Sequence, residues 1–96
     1  SLTLYLDAVP KELNVNDIEN KLSALKGVKG VHHTHIWAIS TTETALTTHL
    51  LVPSNTSFSD VQKIRNDAKH LLEHLNIIHA TIEVEGEEEN CYTSNC

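Results

Sequence analysis

The chain has 96 residues, with seven Lys and Arg against thirteen Asp and Glu, for a net charge of -6 with histidine neutral. That length suits one domain with a modest core, often reinforced by a metal or a partner subunit, and the acidic balance argues against a nucleic-acid surface, which needs clustered cations. No apolar run approaches the roughly 18 residues of a membrane span, and no signal-peptide pattern opens the chain, so the segment reads as soluble, alone or as one soluble piece of a larger membrane protein.

Residues 1–13 include Pro10, whose ring favours an extended predecessor. Asn14 or Asn16 can cap a first helix, and Glu19, three residues after Asn16, resembles the second half of a capping box. Ile18, Leu22 and Leu25 follow at helical spacing, and Gly27 ends the run. Then the period changes. Val31 to Ser40 is rich in β-branched residues and reads as a strand, "TTET" as a turn, and Ala45 to Val52 as a second strand, together an antiparallel hairpin. Ser57 or Ser59 can cap a second helix, whose apolar stripe is Val61, Ile64, Ala68, Leu71, Leu72 and Leu75. "HATIEVE" alternates as a third strand until Gly86. Residues 1–86 therefore form the domain, and 87–96 form an acidic tail with no reason to fold alone. Both cysteines, Cys91 and Cys96, fall in that tail. A disulfide framework would spread them through the domain, so reduced thiols in a cytosolic setting are the preferred reading.

The order helix, strand, strand, helix, strand predicts an α+β, ferredoxin-like two-layer sandwich (α-β-β-α-β), a three-stranded sheet with two helices on one face. Alternation then divides each strand. Ile82 and Val84 should face the helices, as should Leu46, Leu50 and Val52. With a tight turn near Thr42 and Glu43, Val31, His33, His35, Trp37 and Ile39 also point to the helices, and Thr34, Ile36 and Ala38 point away. His32, His49, His79 and Glu85 then share the open face of the sheet, an inference that depends on register. The same turn sets His49 opposite Ile36, about 13 Å along the strand from His32 at roughly 3.3 Å per residue. One ion cannot span that distance. Either the register differs, or the residues serve different ions, or a second subunit completes each site.

Imidazole nitrogen, carboxylate oxygen and thiolate sulfur are the normal zinc donors. The open face offers the first two, and the tail can bring two thiolates over the sheet edge. His33 and His35 read instead as core or rim histidines. His70 and His74 stand one helical turn apart in "HLLEH" and read as solvated surface residues, while Trp37 reads as a core or interface residue. No phosphate loop, nucleophile elbow or nucleophile with its base appears, so an enzyme is not expected.

These residues resemble a family. "GVKGVHHTHIWAIS", then "ALTTHLLV", then "LNIIHATIEVE" look like the carboxy-terminal cytoplasmic domain of cation diffusion facilitator transporters, and the likeness covers nearly the whole chain. It implies a homodimeric regulatory domain, covalently linked to a transmembrane domain on the cytoplasmic side of a membrane, in a proton-coupled exporter of Zn2+ and similar divalent metals. The positions that match the family's ligands are His32, His49, His79 and Glu85, with Cys91 and Cys96 matching a terminal cysteine pair. The usual Asp after the first histidine is His33 here. Such ligands bind as neutral imidazole and thiolate, so binding should weaken as pH falls. The alternative is a free-standing zinc-buffering or metallochaperone domain.

Overall fold

The computed structural model describes residues 13–87. The first element is α1 (Val15–Ser23), capped by Asn14, whose side chain accepts from the backbone N–H groups of Asn16 and Asp17 at 2.8 and 3.2 Å. With the cap at Asn14, the third helical residue is Asp17, so Asn16 and Glu19 form no capping box. Ile18 and Leu22 carry the buried stripe. Gly27 follows at φ 92°, a left-handed conformation that only glycine adopts without strain. A Cβ there would also meet Ile64 Cδ1 at 2.8 Å. Gly27→Ala is therefore expected to destabilise the fold by at least about 1 kcal/mol, read from the midpoint of urea denaturation.

Strands β1 (Gly30–Ala38) and β2 (Thr44–Val52) pair antiparallel. Helix α2 (Phe58–His74) is capped by Ser57, which accepts from the Asp60 N–H at 3.2 Å. Its far end closes with Asn76 at φ 65°. There Asn76 N–H donates to the Glu73 carbonyl and Ile77 N–H to that of Leu72, both at 2.9 Å. This paired closure ends the helix and buries Ile77 against it. The chain then enters β3 (His79–Gly86), which pairs parallel to β2, a pairing that needs the long crossover α2 supplies. The sheet order is β1-β2-β3, and the predicted α+β sandwich is observed.

Ile18 and Leu22 from α1 meet Ile64, Ala68 and Leu72 from α2 over Leu46, Leu50, Val52 and Ile82 of the sheet. Thr48 is buried on the same side and satisfies its hydroxyl with Thr34 at 2.8 Å.

The register of β1 differs from the sequence expectation twice. Near the turn Ala38 pairs with Thr44, Trp37 with Ala45 and Ile36 with Leu46, three residues from the tight-hairpin register. Five residues, Ile39 to Glu43, form the loop, with the N–H groups of Ile39 and Ser40 both donating to the Glu43 carbonyl. Further along, an irregularity between His32 and His35 sets His33 and Thr34 against Thr48 alone, and His33 adopts φ 54°. Histidine tolerates that region better than most residues, and an extra residue in one strand is a β-bulge. The face assignments change accordingly. Ile36 and Thr34 turn to the helix side, while His35 and Trp37 turn to the open face and are exposed. His33 does not enter the core either, and Ile39 is 52 % exposed. Among the described residues no helix is long and apolar enough to cross a membrane.

Candidate metal centre

The loop register and the bulge together have a direct consequence for the histidines. His32 pairs with His49 across β1 and β2, so the expected 13 Å separation does not exist. On the other side of β2, Glu83 is in register with His49, and Glu85 lies two residues further on the same face. The long Glu85 side chain reaches over β2 to both imidazoles. His32 Nε2–H donates to Glu85 Oε1 at 3.0 Å, and His49 Nδ1–H donates to Oε2 at 2.5 Å. Glu83 stands behind, 3.8 Å from His49 Nδ1.

All three side chains are half-buried, with 22, 31 and 19 % of the side chain exposed for His32, His49 and Glu85. Water is thinned without being excluded. Burial alone would raise the Glu85 carboxyl, but the hydrogen bonds from His49 and His32, and the charge those rings carry when protonated, outweigh it. The carboxyl is held below its ordinary value and is ionised at neutral pH.

One donor atom from each of His32, His49 and Glu85 lies within 4.8 Å of the others. Two nitrogens and one oxygen are a borderline-soft set suited to zinc, whose bonds to them are about 2.0–2.2 Å. The atoms now held together through hydrogen bonds are the ones a cation would take, so small rotations would convert one arrangement into the other. Each imidazole would give up the proton at its bonded nitrogen, carrying it on the opposite ring nitrogen. Three protein donors leave a fourth position open.

The remaining expected ligands stand elsewhere. His79 pairs with Ala45 at the far end of β2, four residues along β3 from Glu83, and lies 3.6 Å from Glu43. It is not part of the three-residue cluster. Cys91 and Cys96 lie outside the described residues. The neighbour that alternation missed is His33, whose ring centroid is 4.8 Å from that of His32 and 5.2 Å from that of His49. The adjacency of His32 and His33 could have suggested it, but strict strand alternation sends neighbouring side chains to opposite faces.

The sequence matches the family described as the cytoplasmic domain of cation efflux proteins over residues 10–87. The cadmium, cobalt and zinc/H(+)-K(+) antiporter of Bacillus subtilis is 31 % identical over 90 residues, covering 94 % of this chain and 29 % of that protein. A probable zinc transporter of Dictyostelium discoideum is 36 % identical over 85 residues, covering 88 % of this chain and 15 % of its own length. The chain thus spans under a third of these relatives. Among solved structures, the metal-bound C-terminal domain of the CzcD transporter from Cupriavidus metallidurans superposes with TM-score 0.66 at 27 % identity, over 76 % of this chain and 99 % of that one. The zinc transporter candidate CzrB gives TM-score 0.70 at 23 % identity, over 82 % and 98 %, a likeness of fold.

Proposed function

Because the chain belongs to the family of cation efflux protein cytoplasmic domains, we propose that it is the regulatory domain of a proton-coupled zinc exporter, binding Zn2+ through His32, His49 and Glu85 and self-associating when it does so. The observation that carries this reading is the convergence of three donors from three strands on one exposed sheet face. The antiporter and transporter relatives, in which the matching segment is a minor part of a longer protein, support a covalently attached transmembrane domain. The exposed Trp37, at the strand end beside His79, and Ile39 in the adjoining loop supply an apolar surface for a second copy. His79, Cys91 and Cys96 are assigned as further donors, serving other ions or the fourth position.

The mechanism is linkage. Zinc that binds the associated form more tightly than the separate chains pulls two domains together, by no more than its differential affinity for the two states. Anything tethered to both domains is then drawn toward the arrangement that favours association. Zinc titrated into the 96-residue chain should raise its scattering mass from monomer to dimer, saturating at one or more ions per chain. A mass unchanged through zinc saturation would sink the self-association step.

A further inference from the structure

A second pair of imidazoles lies on the opposite layer of the molecule. His70 and His74 are one turn apart on the exposed side of α2, whose other side buries Ile64, Ala68 and Leu72. Their Nε2 atoms are 3.1 Å apart, and their rings meet edge to face with centroids 4.6 Å apart. Two nitrogens each about 2.05 Å from one zinc ion would be about 3.3 Å apart at a tetrahedral angle and about 2.9 Å at a right angle. The observed separation falls between those limits. The two donors already stand at chelating distance.

Three features favour a cation there. His74 is in the last turn of a 17-residue helix, where the helix macrodipole concentrates negative potential. Asp67, three residues before His70 and seven before His74, shares their exposed face and adds negative charge to it. The backbone beneath is fixed by the paired closure at Asn76 and Ile77, so the rings are held on an ordered turn. Without metal, one Nε2–H donates to the other Nε2. With metal, both rings carry their proton on Nδ1 and offer Nε2 lone pairs.

We propose that His70 and His74 form a second, exchangeable site for a late first-row divalent cation such as Zn2+, Ni2+ or Cu2+ on the outer face of α2. Two imidazoles leave most coordination positions to water, so the ion exchanges more readily than one held by the sheet cluster, and the domain carries metal on both outer faces. The proposal does not depend on the transporter reading.

The test removes both histidines of the sheet cluster and both tail thiols, and reads what His70 and His74 still bind. In a chain carrying His32→Ala, His49→Ala, Cys91→Ser and Cys96→Ser, calorimetric titration with Ni2+ should show one ion per chain. Adding His74→Gln or His70→Gln should weaken it at least tenfold. No Ni2+ binding in the four-substitution chain, or binding indifferent to both glutamine substitutions, overturns the site. Should that chain fail to fold by circular dichroism, zinc-loaded wild type titrated with Cu2+ decides the matter. Amide signals of residues 67–75 should broaden in wild type and stay sharp in His74→Gln; equal broadening in both overturns the site.

Discussion

Replacing His49 with alanine is expected to weaken zinc binding by at least about 100-fold, because groups that only orient a metal ligand already contribute about 10–100-fold. His49 occupies the middle of the cluster. It stands on the central strand, opposite His32 on one side and beside Glu83 on the other, and bonds Glu85 directly. Its loss leaves His32 and Glu85, two donors reaching toward each other across an empty β2 position. Stability without metal should change little, since the ring is about a third exposed and exposed ion pairs contribute about 1 kcal/mol or less. The control is His35→Ala. Beyond the bulge, His35 pairs with Thr47 and is exposed, so its removal should leave zinc affinity essentially unchanged, without the about 10–100-fold loss that follows removal of an orienting group. Calorimetry at neutral pH separates the two variants. An unchanged affinity in His49→Ala would refute the assignment of the cluster as a zinc site.

The pH profile of the same titration carries independent information. The Glu85 carboxyl is ionised well below neutrality, held there by its imidazole partners against its own burial. The imidazoles bind zinc only in their neutral form, so protons compete with the ion there. Binding therefore weakens as pH falls.

Local physics made most of the architecture legible. Helical spacing at Ile18, Leu22, Ile64, Ala68 and Leu72 predicted the residues that fill the core, and the caps were narrowed to Asn14 or Asn16 and Ser57 or Ser59, of which Asn14 and Ser57 are used. Alternation in "HATIEVE" put Ile82 inside and Glu85 outside, because β3 runs without irregularity. The hairpin was another matter. Its loop is three residues removed from a tight turn, an odd shift that exchanges the faces of Ile36 and Trp37. The bulge then adds one more residue and exchanges them back for His32. Two odd displacements cancel, which is why His32 was assigned to the correct face from an incorrect register. Omitting His33 restores regular alternation from Val31 through Trp37. Nothing in a sequence period reports such an extra residue. It becomes visible only when the strand must satisfy the core at Val31 and Ile36 together.

Core and metal site meet at one pair of neighbours on β2, and this gives the second large effect. Leu50 is fully buried and adjoins His49. Leu50→Ala should cost about 3–4 kcal/mol, through lost burial and the cavity left in a packed layer. A small domain has a total stability of only about 5–15 kcal/mol, so the metal-free variant should unfold at a much lower urea concentration than wild type. Zinc that binds only the folded chain returns about 4.1 kcal/mol at 1,000 times its dissociation constant. In urea that largely unfolds the metal-free Leu50→Ala chain, added zinc should then refold it, with far-ultraviolet ellipticity recovering along the binding isotherm. In Leu50→Ala/His49→Ala the same addition should restore little, because the three-donor cluster is gone. Recovery of both chains at equal zinc would place the stabilising metal away from His49, and recovery of neither would mean that the folded sheet gains nothing from the ion. The coupling follows from geometry. A donor set drawn from three strands exists only when β1, β2 and β3 are in register, so any metal it holds is bound to the fold itself.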